Sequence, residues 1–385
     1  MAGREESTAS RKRRLAIRPT ARHDGRCMGR RVSEGSFAWL AAFAALAACT
    51  GDPLSAGSND PTSDSGAPAA APVAITRATL TSMIDTFAMD ETNLYFTSED
   101  GSLYRLAKTG SEAPVVLASA TTPGSVYTEG LAVDATNLYW TALGDGISTG
   151  VVLSVGKTGG SAVALAMNLP RPDSIAVDDT TVYWSNQGAP LSGQGENDLS
   201  PQQGSIMSVP KGGGAATVLT VDMATPDEMT LDPTGVVWHD KQAISRIAKT
   251  GGATTTLTSA AIPWTSSNLV VSGTTLYWAA NQSGWSVQSV PLAGGATTTL
   301  TSIEAPGAIL AVESSIFWNV EGGTHVGAIE AELGGSDSVL QSPPDIVAGS
   351  TAEQASFFLA DATAFYWVEY WESPALTVAI RILSR

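Results

Sequence analysis

The chain repeats one phrase seven times: an apolar run, an acidic turn, then a second run carrying paired aromatics. The copies are FAMDETNLYFT (87–97), LAVDATNLYWT (131–141), IAVDDTTVYWS (175–185), MTLDPTGVVWH (229–239), LVVSGTTLYWA (269–279), ILAVESSIFWN (309–319) and FFLADATAFYWV (357–368). Measured at the second aromatic (Phe96, Trp140, Trp184, Trp238, Trp278, Trp318, Trp367), the intervals are 44, 44, 54, 40, 40 and 49 residues. A four-stranded propeller blade has this period. A second hairpin follows the phrase, as in SIMSVPKGGGAATVLT and AISRIAKTGGATTTLTS, where paired glycines supply the positive φ of a tight turn between β-branched runs. Each repeat therefore predicts four antiparallel strands, counted outward from the axis.

The last repeat offers only three strands, 357–361, 364–369 and 376–383. The missing outer strand is expected from the other end of the chain. Residues 73–82 (VAITRATLTS) look like the outer strands ATTTLTS at 253–259 and 296–302. Sharing a blade between the two ends hides sheet edges and closes the ring. The fold class expected is thus all-β, a seven-bladed β-propeller whose N-terminal strand completes the last blade. A solenoid would leave that early strand unexplained.

The aromatic phrase resembles the YWTD propellers of the lipoprotein-receptor class, most clearly at Tyr139-Trp140-Thr141 and Tyr183-Trp184-Ser185. The resemblance implies a propeller and departs from the family in two respects. The closing aspartate is replaced by Ala142, Asn186 and Ala280, although Asp240 follows His239. Those propellers usually have six blades, and seven phrases are counted here.

Ahead of the repeats, Phe37 to Leu46 is a ten-residue apolar run, too short to span a bilayer and suited to a signal peptide. Arg30 and Arg31 precede it, and Leu46-Ala47-Ala48-Cys49 follows. Together these resemble a bacterial lipoprotein signal, which implies acylation at Cys49, export by general secretion and a true start at Met28. Thr50 after the cysteine implies the outer rather than the inner membrane. Thr50 to Pro72 is rich in Ser, Gly, Pro, Ala and Asp and reads as a tether. The expected organisation is a signal region over 1–48, an anchor and linker over 49–72, and the propeller over 73–385.

Ten of the 21 basic and four of the 37 acidic residues lie in 1–48, so residues 49–385 carry 11 basic and 33 acidic groups, a net charge of −22. Such a body repels a phosphate backbone, so nucleic acid is not expected as a partner. The two cysteines, Cys27 and Cys49, precede the repeats, which leaves the propeller without a disulfide or a thiolate metal site.

Most motifs reduce to the fold. The tyrosine–tryptophan pairs and their variants, seven copies at one place in the repeat, read as packing between sheets. Asp90, Asp134, Asp178, Asp232 and Asp361 read as turn caps. Gly156-Lys157-Thr158 is an ordinary hairpin, because Lys108, Lys211 and Lys249 occupy the same place. No nucleophile elbow is present.

One register does not reduce to packing. Five residues before each turn acid, at the start of the innermost strand, stand Asp85, Glu129, Asp173 and Asp227, whereas the last three repeats have Ser267, Ala308 and Ser356. Carboxylates in one register of four successive blades predict a cluster at the channel mouth that could take calcium. A ligand-binding rim is expected from His239 and from Tyr370 and Trp371, near the 186–204 insertion. The function expected is a non-catalytic binding or scaffold module, monomeric and held at the cell envelope through its lipid, for a protein, peptide or glycan ligand. The alternative is a lyase- or lactonase-type enzyme with a divalent metal at the channel mouth.

Overall fold

The computed structural model describes residues 75–119, 127–144, 148–188, 203–240, 243–259, 269–281, 284–302, 306–312, 315–320, 326–330, 354–371 and 376–384. Every strand there belongs to one of seven antiparallel sheets. The sheets follow the repeats: six show four strands, and the sixth repeat shows three among the described residues. The fold is a seven-bladed β-propeller.

The final blade closes as the repeat pattern requires. The strand Ile75–Leu80 lies against Thr377–Ser384, and inward of it come Ala364–Trp371 and Gln354–Ala360. The clasp also reaches the neighbouring blade. Buried Arg77 donates from Nε to Ala107 O at 2.7 Å, and from its two terminal nitrogens to Glu112 O at 3.1 Å and Thr109 O at 3.2 Å. One side chain thus satisfies three carbonyls of the first blade's hairpin.

Seven hydrophobic clusters hold the fold, one at each seam between successive blades. Their composition follows from strand geometry. Adjacent residues of a strand point to opposite faces, so the two members of each aromatic pair enter different seams. Tyr95 packs toward blade 2 with Trp140, Tyr139 toward blade 3 with Trp184, and Tyr183 toward blade 4 with Trp238. Phe96 faces the other way and meets Tyr366 of blade 7, which closes the ring. In two blades the residue two places after the tryptophan serves its ring nitrogen. Trp184 Nε1 donates to Asn186 Oδ1 at 3.2 Å, and Trp367 Nε1 donates to Glu369 Oε1 at 2.9 Å in the seventh blade.

The turn acids cap as expected: Asp90 Oδ1 accepts from the amides of Thr92 and Asn93, both at 2.8 Å, and its other oxygen accepts from Tyr95 Oη at 2.8 Å. The hairpin lysines, in contrast, are not ordinary turn residues. Each reaches back to the turn acid of the preceding blade: Lys157 to Asp90 at 2.8 Å, Lys211 to Asp134 at 2.7 Å, Lys249 to Asp178 at 3.0 Å and Lys108 to Asp361 at 2.5 Å. Partial burial pushes these carboxyls up. Hydrogen bonds from the lysine, the turn amides and the tyrosine outweigh it and hold Asp90, Asp134 and Asp361 below the usual carboxylate range. Three of the ammonium groups also sit over the tyrosine rings, with Lys108 4.7 Å from the Tyr366 centroid.

The clasp makes a direct prediction. Deleting 50–70 should leave the melting temperature unchanged, whereas deleting 50–82 should lower it by at least about 5 °C. Arg77→Ala alone should cost about 1–3 kcal/mol, because three part-buried carbonyls lose a charged donor. Equal melting curves for both deletions would contradict the closure.

Candidate functional site

The turns between first and second strands, and the described hairpins between third and fourth, lie at one end of the blades, where the lysine–aspartate pairs sit. The loops that lead from one blade to the next start the innermost strands at the opposite end, and the four predicted acids stand there.

Two of these loops are built alike. Asn168-Leu-Pro-Arg-Pro-Asp173 and Asp222-Met-Ala-Thr-Pro-Asp227 align residue for residue. The left-handed region is occupied at the first and fourth positions of both, with φ of 59° at Asn168, 58° at Arg171, 63° at Asp222 and 33° at Thr225. Asn and Asp tolerate that conformation, while Arg and Thr are strained in it. The proline before each acid presses on a glycine of the preceding blade. A Cβ on Gly150 would lie 2.2 Å from Pro172 Cδ, and one on Gly204 would lie 2.1 Å from Pro226 Cδ. No larger residue fits at either place.

Hydroxyl groups then tie each acid's strand to the blade before it. Thr141 Oγ1 accepts from Gly130 N at 2.9 Å and donates to Asp173 O at 2.6 Å. Ser185 Oγ accepts from Ser174 N at 3.1 Å and donates to Asp227 O at 3.2 Å. Thr97 occupies the same place in blade 1 and shares hydrogen bonds with Thr86 and Thr128, and Thr128 Oγ1 donates to Asp85 Oδ2 at 3.3 Å. These are the residues directly after the second aromatic. Their role across the seam was not evident from the sequence, although the hydroxyl in Tyr-Trp-Thr and Tyr-Trp-Ser is the signal that could have shown it.

The four acids expected to hold calcium stand at the start of four successive blades. Asp173 is 8 % exposed, accepts from Gln187 Nε2 at 2.9 Å and is hydrogen-bonded to the Asp227 carboxyl. Burial pushes Asp173 well above the usual carboxylate range, and the charges of Asp227 and Glu129 push it further. Asp85, half-buried, is likewise raised by burial to about 7; the Thr128 hydrogen bond opposes this, and the charges of Glu99 and Glu129 add to it. Glu129 is exposed and acts on both neighbours. Among the described residues no three His, Cys, Asp or Glu side chains are placed to share one metal ion. Common register fixed the height of these carboxylates in the ring, not the approach of their oxygens.

The expected rim is corrected as well. His239 is buried at the end of its strand, where its carbonyl accepts from Asp227 N and its amide donates to Glu228 O, both at 3.1 Å. Tyr370 is buried in the seam between blades 7 and 1, and its hydroxyl donates to Ile84 O at 3.3 Å. Burial and then the Asp85 charge raise that phenol. Both residues lie beside the strands that carry the arc. Ala308 is buried, and the Trp371 and Ser356 side chains, with Ser267, His325, Cys49 and residues 189–202, lie outside the described residues.

No protein-family profile matches the chain, and no curated protein matches its sequence. Solved structures do resemble it. The WD40 β-propeller domain of Doa1 aligns with a TM-score of 0.54 at 13 % identity, over 80 % of this chain and 96 % of that one. The computationally designed Ika8 protein gives 0.53 at 10 % identity, over 82 % and 100 %. An oligogalacturonate lyase in complex with manganese gives 0.51 at 12 % identity, over 80 % and 98 %. At these identities the likeness is one of fold, and the set includes both a WD40 domain and an enzyme.

The raised acid gives a pH test with a definite sign. Asp85 is protonated more readily folded than unfolded, so its contribution to stability is full below about pH 4 and lost as pH rises through about 7. Asp85→Asn removes that loss. The variant should match the parent near pH 4 and exceed it at pH 8 by about 1–2 kcal/mol, a figure reduced for solvent reaching the site. Denaturant unfolding at the two pH values checks this, and a gap that does not change with pH would contradict it.

Proposed function

We propose that this chain is an envelope lipoprotein whose propeller is a non-catalytic binding module, and that the acidic arc receives a positively charged group of its ligand. The observation that carries this reading is the arc itself: Asp85, Glu129, Asp173 and Asp227 start four successive blades, and hydroxyl bridges cross the three seams between them, holding the Asp173 and Asp227 carbonyls at two. Carboxylates held together at a cost in self-repulsion are relieved by a bound cation. The net charge of −22 over residues 49–385 favours the same class of ligand and its steering toward the protein. A lysine- or arginine-bearing peptide, or a polyamine, meets an extended arc better than a single metal ion does, since the carboxylates do not converge. The anchor rests on the signal-like run 37–46 and Cys49, which lie outside the described residues.

A second reading has one specific observation in its favour. The hydrogen-bonded pair Asp173–Asp227, with Gln187 against it, is an arrangement that can hold a proton on one carboxyl and a charge on the other. A lyase- or lactonase-type enzyme would use that pair as acid and base.

The two readings separate in one set of titrations on the lipidated protein in detergent. Oligolysine or spermidine should bind with an affinity that falls steeply as salt is raised, and Glu129→Gln with Asp227→Asn should weaken it at least about tenfold. Equal binding by parent and double variant, or no binding at low salt, would overturn the acidic-arc reading. Turnover of an acidic oligosaccharide or a lactone, lost in Asp173→Asn, would replace it with the enzyme. The anchor is read separately by fatty-acid labelling, which Cys49→Ser should abolish.

A further inference from the structure

The seams between blades are not equivalent. Four consecutive seams, from 7/1 through 3/4, carry a complete set of three groups: a turn aspartate, the tyrosine that donates to it, and a lysine from the next blade. At the 4/5 seam the set is lost in a concerted way. Val237 stands where the tyrosine would be, and Leu292 stands where the lysine would be. The aspartate remains as Asp232, but it turns to Arg246 of its own blade, accepting from Nε at 2.6 Å and from Nη2 at 2.9 Å. Leu292 packs on the apolar cluster of that seam.

Two further features fall at the same joint. The innermost strands on either side, Met229–Leu231 and Val270–Ser272, are three residues long, against six in blades 1 to 3. They leave fewer side chains to interdigitate near the axis. Valine in place of tyrosine also buries less surface across the seam. The remaining seams have their own reasons to lack the set. Blade 5 has Ser272 and blade 6 has Val312 at the acid position. The outer strand of blade 7 arrives from the other end of the chain, so no hairpin there can carry a lysine to blade 6.

From these substitutions we infer that the ring has a weak joint between blades 4 and 5, at which it opens in preference to the stapled arc of blades 7, 1, 2, 3 and 4. The joint lies next to the blade that starts with Asp227, so opening frees one flank of the acidic arc and leaves the other flank held. This goes beyond the proposed binding role and does not require it.

Native-state thiol labelling of the full chain tests the inference, because equivalent leucines occupy equivalent places. Leu276 and Leu138 are both fully buried, the first in the 4/5 seam and the second in the 1/2 seam. Leu276→Cys should be alkylated at least about tenfold faster than Leu138→Cys under native conditions, with mass spectrometry locating the label. A second comparison guards against a variant that is merely unstable. Putting Tyr139→Val and Lys211→Leu into a Val182→Cys background removes the same two groups from the 2/3 seam, and it should speed labelling at position 182 toward the rate at 276. Equal rates at 138 and 276, or no acceleration at 182, would overturn the inference.

Discussion

The structure depends on a consequence of strand geometry: two aromatic residues in succession point to opposite faces of one sheet. Each blade therefore sends the two members of its pair to different seams, a tyrosine and a tryptophan in blades 2, 3, 5 and 7, with Phe96, Val237 and Phe317 as the departures in blades 1, 4 and 6. One dipeptide position, varied from blade to blade, contributes to all seven interfaces. Because the tyrosine ring is buried while its hydroxyl reaches the turn aspartate, the same residue also joins the apolar seam to the polar end of the blade. The lysine of the next blade completes the link by pairing with that aspartate. Apolar burial sets the strength of the seam, and the ion pair, being partly buried and well aligned, sets its register.

The two ends of the blades divide the labour. At one end charges are neutralised across the seams, lysine against aspartate. At the other end carboxylates stand together with hydroxyl and amide partners, and two of them are pushed up by burial. Both devices occupy the same part of the ring. Blades 1 to 4 hold the acids, the hydroxyl bridges link them in order, and the stapled seams cover them from 7/1 to 3/4. The part of the ring that holds like charges together is the part whose blades are most firmly joined, which is what a site that stores electrostatic strain requires.

Much of the fold was legible in the sequence because its determinants are periodic. Seven phrases gave seven blades, and the resemblance of residues 73–82 to later outer strands gave the clasp. The turn acids were legible too, since their amide partners lie two and three residues away. What escaped were partners one blade apart. Lys211 looked like a hairpin residue because its aspartate is 77 positions earlier in the chain. Thr141 and Ser185 looked like strand residues because the carbonyls they bind belong to the next repeat. The acidic register was found, but register does not fix side-chain direction, so a metal cage was expected where a carboxyl pair and two flanking acids stand. Tyr370 was assigned to a rim, but its strand runs past the phrase to Trp371, and His239 is the last residue of its strand; both are buried.

The claim that tyrosine, aspartate and the next blade's lysine act as one unit across the seam is tested most directly by a double-mutant cycle on Asp134 and Lys211. Unfolding free energies of Asp134→Ala, Lys211→Ala and the pair should show a coupling of about 1 kcal/mol, reduced when Tyr139→Phe removes the hydroxyl that shares the carboxylate. Additive losses, to within about 0.3 kcal/mol, would mean that the ion pair only decorates an apolar interface and would contradict the account.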